Sequence, residues 1–279
     1  MAGENWVTVG GFIATTASAV AAFFAVRQSM LQRTVLTKPQ IIINSQEVSL
    51  INPTGRTLSF IIENPEYYNN IELPIRNVGL GTALNIKYQW SFNYKKYATL
   101  CGFKETSVHP IFSDEELIKS APVKCFNVSS DRHSNFDDYT FANKGIVIHH
   151  AIKKEYTELN YVMPVTQETS VSNINYPSLI LLLIAEEIEK NSDHYHGMLN
   201  KTDAGQLTLR YEDISGNKIT IKYQCMVQMI RLQSISENGP RSTFRIELQR
   251  IHTKTLPGLE RLRKSYADFI GEHDYNKNK

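Results

Sequence analysis

Cysteine is scarce in this sequence. The chain of 279 residues has only Cys101, Cys125 and Cys225, which are widely spaced and form no Cys-x-x-Cys pair. No histidines stand at zinc-finger spacing either, so neither a disulfide framework nor a structural zinc site is indicated. We expect three buried free thiols in a reducing compartment.

An excess of charge of one sign is also missing. The 30 basic and 28 acidic residues give a net charge of +2. Nucleic-acid-binding proteins usually carry a strong positive field, so the charge balance gives no sign of a nucleic-acid partner. The 42% hydrophobic and 21% charged residues are instead typical of an ordinary globular protein.

Catalytic and cofactor-binding motifs are missing as well. The sequence contains no Gly-x-Ser-x-Gly, no His-Glu-x-x-His and no dinucleotide-binding fingerprint. A phosphate loop at Gly79 and Gly81 is excluded because no Lys-Ser/Thr pair follows and the next element reads as a strand. We therefore predict no catalytic residue, no cofactor and no metal, and we do not expect an enzyme.

The histidines are the best of the weak site candidates. His194 and His196 alternate beside Asp193 and would point the same way on an extended segment, but no fourth metal ligand is evident. His149 and His150 follow an apolar strand and would face opposite sides of a sheet. That pattern favours a role at a strand end over catalysis.

One long uncharged run stands near the N-terminus. The segment Trp6–Val26, between Glu4 and Arg27, has about 21 residues and can cross a hydrocarbon core of roughly 30 Å once as a helix. A signal peptide would normally begin with Lys or Arg, although Ala17-Ser18-Ala19 resembles a cleavage site. A helix buried in a soluble complex is a further alternative, because the segment is rich in Ala and Thr.

The flanks of this span predict its orientation. Arg27, Arg33 and Lys38 follow the span and nothing basic precedes it, so the positive-inside rule places the C-terminal side in the cytoplasm. We expect a single-pass protein of the bacterial inner membrane. Residues 1–38 would form the transmembrane helix and its juxtamembrane extension, which ends before Pro39, and residues 39–279 the cytoplasmic domain.

The span also carries a row of small residues. Gly10, Ala14, Ser18 and Ala22 recur every four residues, and such rows let helix backbones approach closely in lipid. The row predicts self-association or pairing with another membrane protein. An Ala-rich composition can also produce such a row by chance.

Beyond residue 39 the hydrophobic period changes from helical to alternating. Residues 84–95 form the clearest predicted strand, with one buried face and one solvent-exposed face. Residues 206–228 read as a hairpin whose turn contains Gly216-Asn217, which would supply positive backbone dihedrals. Further strands are predicted at 41–43, 58–62, 71–78, 145–149, 178–185 and 243–250.

These strands predict a mainly β domain. About eight strands suit an immunoglobulin-like β-sandwich with a few peripheral helices. The acidic residues Glu186, Glu187 and Glu189 would then be a solvated strand terminus. The stretches 97–141 and 187–203 break the period and read as long loops, where a partner or ligand contact is expected.

Two peripheral helices are predicted, a short one at 114–119 and a longer one near 257–271. The longer helix carries Arg261, Arg263 and Lys264 on one face. This basic patch would suit anionic lipid head groups under the membrane. A solvated helix surface is the alternative.

Residues 75–86 read Ile-Arg-Asn-Val-Gly-Leu-Gly-Thr-Ala-Leu-Asn-Ile. This strand, Asn-x-Gly turn, strand pattern resembles the motif that joins two sandwich strands in immunoglobulin-like adhesion and transport modules. Together with the turn at 211–217 and the N-terminal span, it is similar to uncharacterised bacterial single-span membrane-anchored proteins. The resemblance implies a turn and no chemistry, and turn dihedrals alone would explain Gly79 and Gly81.

These features favour a non-enzymatic, membrane-anchored interaction or sensor module. Its cytoplasmic β domain would bind a protein or ligand, and its helix would oligomerise. The first alternative is an antiviral defence or toxin-like effector whose helices multimerise and perturb the inner membrane. A hydrolase or nuclease that uses the histidine-rich loops is a second alternative. No sequence feature discriminates among the three.

Overall fold

A computed structural model describes residues 2–53, 58–107, 124–131, 134–143, 146–167, 171–190, 200–233 and 239–251. The predicted helices at 114–119 and 257–271 lie outside these residues, as do Asp193, His194, His196 and the basic patch of Arg261, Arg263 and Lys264.

The chain begins with one long helix, α1, at Ala2–Thr37. The sequence prediction of a helix that continues past the apolar segment and stops before Pro39 is confirmed. Proline lacks a backbone N–H and disfavours helical geometry in the residue before it, so the helix ends there. The first strand starts at Ile41.

The rest of the described chain is mainly β, as predicted. Its fourteen strands are β1 Ile41–Ile43, β2 Gln46–Ile51, β3 Ile61–Ile62, β4 Asn70–Asn77, β5 Ala83–Ser91, β6 Lys104–Glu105, β7 Cys125–Ser130, β8 Phe136–Asn143, β9 Ile146–Lys153, β10 Thr157–Val162, β11 Ser172–Pro177, β12 Thr202–Glu212, β13 Lys218–Gln233 and β14 Arg241–Arg250. A 3-10 turn at Pro65–Tyr67 precedes β4.

The strands form three sheets. The largest has the order β10-β5-β12-β13-β14-β2-β3, the second β1-β4-β11 and the third β6-β7-β8-β9. Every paired neighbour among these strands is antiparallel except β6 with β7. Strand β3 is an edge strand of the largest sheet, and β9 is an edge strand of the third.

The predicted hairpin is confirmed as β12 and β13. Its turn is held by Asp213, whose carboxylate accepts the backbone N–H groups of Ser215 at 2.8 Å and Asn217 at 2.9 Å. Only Gly216 has a positive φ, of 79°. The expectation of positive dihedrals therefore holds for Gly216 and is wrong for Asn217.

The clearest predicted strand is shorter than expected. It ends at Ser91, and helix α2 follows at Tyr94–Leu100. Asn93 caps this helix by accepting the N–H of Lys96 at 3.1 Å, a local bond that competes with continued strand pairing. Alternation also fails at the start, where Asn85 has φ 50° and Leu84 is 37% exposed, because a bulge shifts the register against β12.

The predicted strand at 178–185 is wrong. Residues Ser178–Lys190 form helix α3, whose residues from Ser178 to Glu186 are all buried. A helix that is buried on every side shows no amphipathic period, so its sequence cannot be told from a buried strand by pattern alone. The region 97–141, predicted as a loop, likewise contains the end of α2 and strands β6, β7 and part of β8 among its described residues.

The core combines the inner faces of all three sheets with α3. Cys101 and Cys225 are buried in it, and Cys125 is half-buried. Burial raises the pKa of Cys101 and of Cys225 to about 12. The expectation of buried free thiols is thus confirmed for two of the three.

Candidate membrane anchor and ligand cavity

Helix α1 is long and apolar enough to cross a membrane. An 18-residue window within Val9–Met30 has a mean hydropathy of 1.8, and none of this window is buried by the rest of the described chain. At about 1.5 Å per residue the 22 residues Val9–Met30 extend roughly 33 Å, close to the thickness of a hydrocarbon core.

Two threonine side chains within this segment are hydrogen-bonded inside the helix. The hydroxyl groups of Thr15 and Thr16 donate to the carbonyls of Gly11 at 2.7 Å and Phe12 at 2.9 Å, one helical turn back. Both hydroxyls thus have acceptors within the helix, which lowers the cost of placing them in lipid.

The row of small residues is uncovered. Gly10, Ala14, Ser18 and Ala22 are all exposed, and a Cβ added at Gly10 would meet nothing within 4 Å. The four residues lie on one side of α1 because they are spaced by about one turn. Their role in helix pairing stays a prediction.

The joint between α1 and the β domain is built around Asn77, at the end of β4. Its side-chain oxygen accepts the backbone N–H groups of Gln40 and Gly79, both at 3.0 Å. Its side-chain nitrogen donates to the carbonyls of Gly81 at 2.6 Å and Val162 at 3.3 Å. Asn77 is fully buried, and this one amide ties β4 to the residues that follow α1.

Gly79 completes the joint by its small size. A Cβ at this position would lie 2.5 Å from the nitrogen of Gln40 and 2.5 Å from the oxygen of Lys38. Its φ is not positive, so the prediction that turn dihedrals explain Gly79 is wrong. The glycine is required because another part of the backbone crosses it, and the same φ correction applies to Gly81.

Two tyrosines fix the same crossing from the largest sheet. The hydroxyl of Tyr211 donates to the carbonyl of Pro39 at 3.4 Å, and that of Tyr223 donates to the carbonyl of Ile41 at 2.8 Å. The chain that follows α1 is therefore fastened to the domain through hydrogen bonds at three consecutive residues, Pro39, Gln40 and Ile41.

A cavity of about 570 Å³ lies between the edge strands β3 and β9, with α3 contributing to its wall. Its volume falls within the usual range for small-molecule sites. Its apolar side chains are Leu58, Phe60, Ile61, Ile62, Pro65, Ile146, Ile148 and Leu182. Only Glu63, Tyr68 and His150 bring polar groups to the described lining.

His150 is the most unusual group in this lining. Its side chain is buried, with 3% exposed, and its ring is stacked on Tyr68 with centroids 5.3 Å apart. Burial, with a smaller contribution from the charge of His149, lowers the pKa of His150 to about 4. The imidazole is therefore neutral at pH 7, with one nitrogen able to donate and the other to accept.

The sequence prediction for the two histidines is partly confirmed. His149 is exposed and His150 is buried, so they face opposite sides as expected. They are not at a strand end, because β9 continues to Lys153. Ile146, Ile148 and His150 share the inner face by alternation, which is the signal that could have placed His150 in a cavity.

Tyr68 is held in place at the mouth of β4. Its carbonyl accepts the hydroxyl of Ser178 at 2.5 Å, which joins it to the start of α3. Strand β4 begins two residues later, at Asn70, and ends at Asn77. A single strand, which starts two residues after the cavity-lining Tyr68, therefore leads to the joint with α1.

Glu186 of α3 is a buried carboxylate. It pairs with the Lys124 ammonium at 2.5 Å and accepts the backbone N–H of Ser59 at 2.6 Å. One turn further on, Glu189 accepts the side-chain amide of Asn52 at 2.5 Å. The prediction of a solvated strand terminus is wrong for Glu186, which joins α3 to the start of the cavity-lining segment.

A second cleft, of about 730 Å³, lies beside α2. The stacked rings of Phe92 and Tyr97 border it, with centroids 4.6 Å apart. Among its polar groups the Gln224 amide donates to the Asp203 carboxylate, and Lys95 pairs with Glu105 outside the lining. The buried hydroxyl of Tyr94, also in the lining, has no hydrogen-bond partner among the described residues.

No family model, no curated protein and no solved structure matches this chain.

Proposed function

We propose that the protein is a membrane-anchored, non-enzymatic sensor or interaction module of the bacterial inner membrane. Helix α1 anchors it, the β domain lies in the cytoplasm and binds a ligand or protein, and the helix associates with a second copy or another membrane protein. An immunoglobulin-like packing of the sheets stays part of this proposal.

The observation that carries the proposal is the bare apolar helix fastened to the domain. The uncharged part of α1 up to Val26, which is exposed from Val9 onward, presents far more contiguous apolar surface than a soluble monomer normally does. A bilayer covers such a surface, and the basic residues Arg27 and Lys38 on its C-terminal side favour a cytoplasmic domain.

The joint and the cavity support the sensor role. Asn77 ties the anchor to β4, and Tyr68 at the other end of the same segment lines the cavity. A change of occupancy at the cavity would therefore act on a strand that ends at the anchor. The proposal needs no catalytic group.

Carbonate extraction of membranes tests the anchor. We expect the full chain to resist extraction, and a chain that begins at Lys38 to be released. Val20→Arg should release the full chain too, because a charge at the centre of a span costs about 2.5–3.5 kcal/mol on insertion scales. Val20→Leu is the matched control. Free extraction of the full chain would show that α1 is an assembly helix of a soluble complex.

The uncovered row of small residues favours a second candidate, the antiviral defence or toxin-like effector. In that case expression of the full chain arrests growth. Ala14→Leu places a bulky side chain in the row of small residues, which keeps the helices apart and relieves the arrest. Phe12→Leu, on another face of α1, is the control. Benign accumulation of the full chain would count against the effector.

A further inference from the structure

We propose that the cavity between β3, β9 and α3 binds an uncharged, mainly apolar molecule with one hydroxyl or carbonyl group, and that His150 hydrogen-bonds this group. The proposal rests on the ligand-binding role given above and names the chemical class of the ligand. Either a component of the membrane or a small metabolite of the cytoplasm can supply such a molecule.

The walls of the cavity select for an apolar body. Leu58, Phe60 and Ile62 form one side, Ile146 and Ile148 the other. Burial of apolar ligand surface against these side chains supplies the driving force for binding. A strongly hydrated molecule would lose its water without replacement.

The imidazole of His150 selects for a single hydrogen-bonding group. Among the described residues none hydrogen-bonds to either of its ring nitrogens, although the residue is only 3% exposed, and these nitrogens are not among the fully enclosed atoms without a partner. Buried polar groups in native proteins almost always have a partner. Because His150 lines the cavity, a ligand hydroxyl or carbonyl placed beside it would satisfy this group.

The charges of the lining argue for a neutral ligand. The described lining contains no lysine or arginine that could pair with a carboxylate or phosphate. Its one carboxylate, Glu63, already pairs with Arg241. A charged ligand group would thus enter an apolar space without a counter-ion, which is costly.

Stacking on Tyr68 fixes the orientation of the His150 ring. The two rings are nearly parallel, with 19° between their planes, so the stack limits rotation of the imidazole. Tyr68 itself is held through its carbonyl by Ser178. The hydrogen-bonding nitrogen of His150 is thus presented in a fixed position, as preorganised binding sites require.

The test uses the full chain in lipid nanodiscs and two probes with nine heavy atoms, radiolabelled 1-octanol and n-nonane. Binding is the probe retained by protein-containing discs after empty discs are subtracted. We expect the ratio of octanol affinity to nonane affinity to be about fivefold higher in the wild-type chain than in a chain without the His150 imidazole, the effect of one neutral hydrogen bond.

His150→Phe keeps an aromatic ring against Tyr68 and removes both ring nitrogens. We expect this variant to lose octanol affinity about fivefold, because the hydroxyl then enters the cavity without a partner, and to keep its nonane affinity. His149→Phe, one residue along β9 on the exposed face, should keep the wild-type ratio of octanol to nonane affinity. Leu182→Trp should lower the affinity for both probes by filling the cavity, and circular dichroism of each variant verifies that it folds.

The proposal would be overturned by no retention above empty discs, or by an octanol-to-nonane ratio in His150→Phe equal to that of the wild-type chain. A chain that inserts into discs but binds neither probe overturns the ligand proposal and leaves the anchor intact. The source of the natural ligand is identified by adding a membrane-lipid extract and a soluble metabolite extract separately and following the NMR resonance of the His150 imidazole. The extract that shifts this resonance contains the ligand. A response to neither extract would also contradict the proposal.

Discussion

Asn77 shows how much one side chain can organise in this protein. Its amide uses its two acceptor and two donor positions on four backbone groups that belong to the joint, the following turn and β10. Each buried backbone group that loses such a partner costs about 1–3 kcal/mol. The sequence displays Asn77 as part of a turn motif, but only the fold shows that it reaches Gln40 and Val162.

We predict that Asn77→Ala lowers the free energy of unfolding by about 3 kcal/mol or more, because four buried groups lose their partner. Thermal unfolding of the full chain in detergent, followed by circular dichroism, measures this. The control is Asn173→Ala, which removes one exposed hydrogen bond to Glu72 and should change stability little. Equal effects of the two substitutions would contradict the role of Asn77.

Gly79→Ala tests the crossing itself. The added Cβ would lie 2.5–2.9 Å from backbone atoms of residues 38–40, so the joint must shift. We expect a destabilisation of about 1–3 kcal/mol, as for overpacking in a core. Gly11→Ala is the matched control, since a Cβ there meets nothing within 4 Å. A melting temperature that is unchanged in Gly79→Ala would be inconsistent with the close approach.

His150 predicts a pH dependence of stability. Its pKa is about 4 in the folded protein and 6.5 in the reference state, so between these values the unfolded chain binds a proton that the folded chain refuses. The free energy of unfolding therefore falls as the pH drops from about 6.5 to 4, by up to roughly 3 kcal/mol, and levels off below that.

Unfolding curves at pH 7, 5.5 and 4.5 measure this loss. The wild-type chain should lose more stability on acidification than His150→Phe, which cannot titrate at this position. His149→Phe should behave like the wild type. Parallel pH profiles for the wild type and His150→Phe would mean that His150 is not held neutral by burial.

Among the secondary-structure elements, α3 is the one whose conformation depends most clearly on tertiary contacts. Its apolar residues are buried on every side, and Glu186 is buried with them because Lys124 and Ser59 satisfy its carboxylate. Without those partners a carboxylate in this position would be too costly to bury. The sequence could not reveal the pairing, since the three residues lie 127 and 62 positions apart.

We predict that Glu186→Gln costs about 2–4 kcal/mol, because it leaves the Lys124 ammonium without its counter-ion in a half-buried site. Glu105→Gln breaks a pair of similar length to Lys95 that is half exposed on both sides, and should cost less than about 1 kcal/mol. Thermal melts of the two variants check the contrast. A similar cost for both would show that the burial of Glu186 is unimportant.

At the scale of the whole molecule, labelling of the thiols measures on which side of the membrane the β domain lies. Cys101 and Cys225 are buried and have pKa values of about 12, whereas Cys125 is only half-buried. A membrane-impermeant maleimide at pH 8 should therefore modify Cys125 first, because reaction needs both access and thiolate.

In intact spheroplasts this reagent should leave Cys125 unmodified, and lysis should expose it, if the domain is cytoplasmic. Cys125→Ser is the control, since it should remove the rapid labelling after lysis. Rapid labelling of Cys125 before lysis would reverse the predicted orientation of the domain.

The sequence alone determined the features that depend on local composition and period. The uncharged run up to Val26 with its flanking charges, the stop before Pro39, and the β12–β13 hairpin all follow from hydropathy, proline chemistry and turn residues near in sequence. These features need no distant partner, so a pattern within about twenty residues is enough to define them.

Only the tertiary structure decided the rest. It placed α3 as a helix, Gly79 beneath a crossing backbone, and Asn77, Tyr68 and His150 at their sites. Each of these assignments depends on groups tens of residues away that remove a side chain from water or fill its hydrogen bonds. A one-dimensional pattern records neither the identity nor the distance of such partners, so burial and pairing had to be read from the fold.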